Sequence, residues 1–231
     1  MEINTYNLLN IFMKISNGVR KKDFLMAVIA GFFTSLFLLP TLKNVKLPGI
    51  SYISYLLIIG LPILWMLALI VGRFLSRWLS WIYQFVKFCI LGFLNTAIDF
   101  GVLNLLSLYT GLTSGFIIGG VNVPGFIIAA TNSYFWNKFW VFAKEKKEGE
   151  KTDYSDILTF ILVIVSGMIV NSGAMILIST YVHPFFGLSP ERWLNISKVI
   201  ATVISLVWNF LGFKFFVFFA KGESASGGNN I

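Results

Sequence analysis

Lys198, Thr202, Ser205 and Asn209 fall at i, i+4, i+7 and i+11 within KVIATVISLVWNFLGFKFFVF. That spacing stacks four polar side chains along one face of a helix. The other faces are Val, Ile, Leu, Trp and Phe. In lipid, an ionisable group at mid-membrane costs about 2.5–3.5 kcal/mol on insertion scales, so such a stripe is expected to face a bundle interior or a hydrated cavity. A competing reading has Thr202 and Ser205 bonding back to their own helix while Lys198 snorkels outward, although Asn209 lies too deep to escape that way. A second set is Gly92, Asn95 and Asp99. Asn95 and Asp99 are one turn apart, with amide and carboxyl on one face. Asp99 is the only acid inside a predicted span; it suits a coupling proton, a hydrogen bond to a polar ligand, or a static ion pair between helices. Asn132 and Asn171 both donate and accept. They fit a polar ligand or interhelical hydrogen bonds, which average about 0.6 kcal/mol in membranes.

The elements that position these groups are apolar. Of 231 residues, 57% are hydrophobic and 12% charged, whereas soluble domains carry roughly 25% charged residues. The chain therefore reads as an all-α polytopic membrane protein. Its net charge of +8 comes from Lys and Arg that bracket apolar runs instead of forming a patch, which argues for membrane topology and against nucleic acid. Single Cys89 and single His183 exclude an intrachain disulfide, a thiolate cluster and a His-rich metal site. With no phosphate loop of the GxxxxGK[ST] type and no Ser/His/Asp set, no catalytic residue, cofactor or metal is expected, and the chain does not read as an enzyme. No removable signal peptide is expected either, the first span serving as its own insertion signal.

Six spans are predicted, over about 24–42, 50–71, 85–109, 121–142, 157–181 and 193–219, with Pro62 kinking the second. The polar residues 1–23 and the Arg/Trp-rich stretch 73–84 suit interfacial helices. Residues 110–125 read as an uncharged loop into the fourth span, 143–156 as a solvated loop and 220–231 as a disordered tail. Six spans put both termini on one side, and fourteen of the 18 Lys and Arg residues fall there. The positive-inside rule makes that side the cytoplasm.

The last four spans read as two tandem helical hairpins. KFWVFAK (from Lys138) answers KFFVFFAK (from Lys214), and Phe85 leads Gly92 by seven residues as Phe160 leads Gly167. Gly92 precedes Lys138 by 46 positions and Gly167 precedes Lys214 by 47. Such repeats would be related by an axis along the membrane normal.

On these residues, segment 85–219 resembles the GtrA-like family, small four-helix membrane proteins associated with polyprenyl-phosphate-linked sugars. The matching features are Gly92, Asn95 and Asp99 in G-x-x-N-x-x-x-D, the N-K-F-W-V-F run from Asn137, and K-(x10)-N-F-(x3)-K-x-x-V-F from Lys198 to Phe218. Lys138 stands where the family usually has arginine, and Phe213 where Asn often precedes the base. The resemblance makes 24–84 a two-helix module, with its interfacial helix, appended to a four-helix domain. It implies a flippase that moves a polyprenyl-phosphate monosaccharide, such as an undecaprenyl-phosphate hexose, across the cytoplasmic membrane for a glycosyltransferase that modifies a surface polysaccharide. Lys138, Lys198 and Lys214 would then meet the phosphate as point charges. Asn132, Asn171 and Asn209, with Asn95, Asp99, Thr202 and Ser205, would serve the sugar or phosphate. Interfacial anchoring beside aromatics remains an equal reading of Lys138 and Lys214. Two alternatives stay open, a scaffold that recruits a glycosyltransferase through 143–156, and a small-cation or drug exporter using Asp99. Self-association is compatible with the compact hairpins.

Overall fold

The computed structural model describes residues 19–46, 48–141 and 157–212. Lys214, the KFFVFFAK half of the repeat, the N-terminal interfacial stretch before residue 19, the loop 143–156 and the tail lie outside them. Among the described residues there are six α-helices, one π-helical turn and no strand: α1 (Lys21–Asn44), α2 (Ile50–Leu75), α3 (Ile82–Thr110), α4 (Ile117–Trp136), the π turn (Asn137–Val141), α5 (Ile157–Tyr181) and α6 (Pro190–Gly212). Among the described residues four stretches are long and apolar enough to cross a membrane: α1, α2, α3 and, within α5, Ile164–Tyr181.

Local chemistry explains the helix limits. Arg20 caps α1 in extended conformation, and Asp23 in the first turn complements the positive end of the helix dipole. Gly49 (φ 72°) supplies the left-handed residue that starts α2. At α6 the sequence Ser189-Pro190 does both jobs of a helix start. The Ser189 hydroxyl accepts from the Arg192 N–H (3.4 Å), and proline occupies the first position, where no N–H is needed.

Three expectations are corrected. No interfacial helix covers 73–84: α2 runs on to Leu75, a turn follows, and α3 begins at Ile82. The Arg77 guanidinium lies 5.5 Å from the Phe74 ring centre and Phe74 meets Trp78 edge-on at 4.9 Å, so the Arg and aromatic residues fold the turn on itself. The fourth helix, expected to leave the uncharged loop at about 121, already begins at Ile117. Gly119 there lies so close to Ile176 that a Cβ would overlap that side chain, and packing overrides the turn signal of Gly119-Gly120. Asp99 is not the only acid in a spanning helix, since α1 starts early enough to enclose Asp23.

The chain forms two compact units, and α3 and α4 contribute residues to both. The first includes α1, α2, α3 up to Val102, and α4 from Ile127 with the π turn. α1 and α2 form a hairpin whose core, with Trp65, Leu69, Ile90, Leu94 and Trp140, is continuous into α3 and the π turn. Two glycines let backbones touch here. A Cβ on Gly31 would fall on the Pro62 backbone, and one on Gly101 would overlap the Phe37 carbonyl. The second unit holds the end of α3, the start of α4, and the α5–α6 hairpin around Leu103, Ile118, Met175, Leu194 and Ala201. Asn104 and Asn195 exchange reciprocal amide bonds there (2.7 and 2.8 Å).

The glycine contacts separate two outcomes. Gly31→Ala should lower the apparent Tm in detergent, since overpacking typically costs about 1–3 kcal/mol. Gly60→Ala, where a Cβ meets open space, should hold or raise it through helix propensity, by up to ~1 kcal/mol. Equal Tm for the two variants would contradict the close approach of α1 and α2.

Candidate functional site

In the second unit, the stripe on α6 is anchored by a buried charge. Lys198 is 0% exposed. Its Nζ donates to Asn122 Oδ1 on α4 (2.6 Å) and to Asn171 Oδ1 on α5 (3.0 Å). Asn122 Nδ2 in turn donates to Asn171 Oδ1 (2.9 Å) and to Ser172 Oγ (3.0 Å). An ammonium only donates, so it orients both amides with their oxygens inward and leaves the Asn122 NH₂ to brace Asn171 and Ser172. Three helices of this unit thus converge on one charge. The snorkelling reading of Lys198 is overturned, because its terminal nitrogen is turned to amides and not to a surface. Thr202 follows the bland reading, donating to the Lys198 carbonyl of its own helix (2.8 Å). Ser205 is buried on the same helix. Asn209 lies in α6, and its side chain, like Lys214, is outside the described residues.

The first unit holds the remaining candidates. Asn132 Nδ2 donates to Asn95 Oδ1 (2.7 Å), which joins α4 to α3. Asp99, one turn along α3 from Asn95, is buried. Lys138 sits in the π turn, its Nζ donating to the Tyr134 hydroxyl (3.1 Å) and lying 5.2 Å from the Tyr134 ring centre and 5.9 Å from that of Phe139. This cation held among aromatics fits an interfacial anchor and leaves a phosphate role open. The ten sequence candidates therefore do not form a single cluster within either unit.

Two polar clusters escaped the sequence reading. Asn122 and Ser172 complete the Lys198 network; Asn122 fell at the overlap of the expected loop 110–125 and the fourth span and was not singled out. The other cluster surrounds Asp23, which is 0% exposed. Its Oδ1 accepts from Lys87 Nζ (2.8 Å) and Trp140 Nε1 (2.9 Å), and its Oδ2 from the Tyr83 hydroxyl (2.9 Å) and Arg20 Nε (3.1 Å). Lys87, counted from sequence as a topology lysine, is buried in this pair and lies 4.6 Å from the Tyr83 ring centre. Lys22 Nζ and Gln84 Nε2 donate to the Phe139 and Val141 carbonyls of the π turn (3.2 and 3.4 Å). A carboxylate with four donors, in a segment rich in lipid-compatible residues, ties the start of α1 to α3 and to the turn that carries Lys138. The signal for it was thin, one acid immediately before an apolar run.

The buried pair can be tested by removing one charge and then both. Asp23→Ala should destabilise by about 3–5 kcal/mol, since it strands a buried lysine. Adding Lys87→Met should recover much of the lost apparent Tm. Failure of the double variant to improve on the single one would refute the pair.

Comparison with known proteins now joins the geometry. The family model described as GtrA/DPMS, transmembrane domain, matches residues 87–218. A Bacillus subtilis (strain 168) protein, printed as "Uncharacterized membrane protein YngA", is 30% identical over 132 residues, which cover 57% of this chain and 77% of that protein. No solved structure matches.

Proposed function

We propose, for a chain that belongs to the GtrA/DPMS transmembrane-domain family, that it carries a polyprenyl-phosphate-linked monosaccharide outward across the cytoplasmic membrane. The family and the apolar helices make it a multi-pass membrane protein, and the family ties it to lipid-linked sugar processes. The finer reading takes all six helices as spans, the last four as two hairpin repeats, with both termini cytoplasmic by the positive-inside rule. It is non-enzymatic, because the cargo needs no bond made or broken.

One observation carries it: an ammonium held at 0% exposure in the α4–α5–α6 unit by two amides. A buried cation in a membrane protein costs several kcal/mol to maintain and marks a substrate or ion route by default. Its chemical complement is an anion, and the donor-acceptor amides around it match a hydroxylated head group. A phosphate monoanion on a lipid, bearing a neutral sugar, has both.

The decisive measurement places the purified protein in liposomes containing a defined polyprenyl-phosphate monosaccharide and follows sugar accessibility in the opposite leaflet. Protein-dependent translocation should fall at least tenfold with Lys198→Ala. Lys138→Ala should weaken it more than Lys138→Arg, which keeps the charge. Protein that moves no lipid-linked sugar would overturn the proposal. A scaffold would give that result, and an exporter would give it while losing cation efflux with Asp99→Asn.

A further inference from the structure

The second unit contains a groove that none of the sequence reasoning reached. It has a volume of about 310 Å³ and lies between α4 and α5, lined by Gly120, Val123, Met168, Ile169, Ser172 and Gly173 among others. The lining is apolar apart from Ser172. A Cβ built on Gly120 or Gly173 meets nothing within 4 Å, so both glycines border empty space. This differs from Gly119 beside them, whose missing side chain is taken up by Ile176.

Ser172 is the informative residue. It is only 9% exposed, and its Oγ accepts from Asn122 Nδ2. Several other helix hydroxyls donate to a carbonyl one turn back, as Thr34, Ser54, Ser197 and Thr202 do. Among the described residues Ser172 makes no such bond. Its oxygen is already engaged by Asn122, so its O–H is a buried donor on the groove wall, and a buried donor requires an acceptor. Through Asn122 it also lies two hydrogen bonds from the Lys198 ammonium, which polarises the chain of donors toward negative charge.

We infer that this groove seats the chain segment next to the phosphate of a lipid phosphate ester, with the Ser172 hydroxyl donating to an ester or phosphoryl oxygen. The apolar wall takes branched hydrocarbon, while the one donor takes oxygen bonded directly to that hydrocarbon. A volume near the lower end of the ~300–1,000 Å³ typical of ligand pockets holds a segment of chain, not a whole lipid. At this seat the ligand stands two hydrogen bonds short of the Lys198 ammonium, before the phosphate meets that charge on the route proposed above. Lys198 acts here as a positioning residue, holding Asn122 and so turning the Ser172 donor toward the groove. The inference rests on the lipid-phosphate reading proposed above and assigns it a seat.

The test is photo-crosslinking of the full-length protein in phospholipid nanodiscs with a diazirine-bearing polyprenyl monophosphate. Label should map to peptides containing Gly120 and Gly173, and unlabelled polyprenyl phosphate should compete while the parent polyprenol competes at least tenfold less well. Gly173→Leu and Gly120→Leu, which fill open space, should each reduce labelling at least tenfold. Gly60→Leu, open but outside the groove, should not. Ser172→Ala should remove the preference for phosphate over alcohol, and Ser172→Thr should restore it. If wild-type protein takes no specific label anywhere, the lipid-phosphate reading itself fails. Specific labelling that both leucine variants leave intact overturns the groove alone, as does labelling that excess phospholipid competes away as well as polyprenyl phosphate does.

Discussion

A charged ammonium among apolar helices is tolerated only when other oxygens replace the water it has lost, and in the second unit that requirement organises α4, α5 and α6. Lys198 draws one amide oxygen from each of two neighbouring helices. Because it only donates, the orientation of Asn122 and Asn171 follows from it, and that of Ser172 follows from Asn122. The helix packing around it is consistent with this demand. At the α4–α5 contact Gly119 makes room for the Ile176 side chain.

The first unit meets the same constraint with the opposite sign. Asp23 is a buried acceptor, and it gathers an amine, an indole, a phenol and a guanidinium from residues separated by up to 117 positions. Such a cluster is poor evidence for net stability, because desolvation offsets most of the attraction. It does specify which elements meet. The first two helices share a core with α3 and the π turn, and Lys22 and Gln84 donate to carbonyls of that turn.

The helical character was legible because apolar runs of that length have few other fates, and the described helix limits fall within a few residues of those expected at most ends. What could not be read were places where tertiary contact overrules a local signal. Gly119 and Gly120 fell in the expected loop, yet α4 passes through them with Ile176 filling the space beside Gly119. Asn122, one residue inside the expected span, gave no sign of its partner Lys198. Lys198 and Asn171 were visible as polar residues out of place in lipid; the sequence offered no means of pairing them. Asp23 was invisible for a different reason, since an acid at the first turn of a helix is ordinarily a solvated cap. Lys138 was read on the right helix end, but its π-helical setting left no trace in composition.

Asn195, which pairs with Asn104 of α3, and Lys198 lie on the same helix, α6, yet an electric field treats them differently. Neutral amides experience almost no net force, whereas a full charge moved across an energised bilayer changes energy by about 2.3 kcal/mol per 100 mV. A voltage along α6 would therefore act on the helix through Lys198 and leave the amide clasp near its start indifferent. Any anion brought beside Lys198 would cancel that force, making the paired helix electrically lighter than the unpaired one.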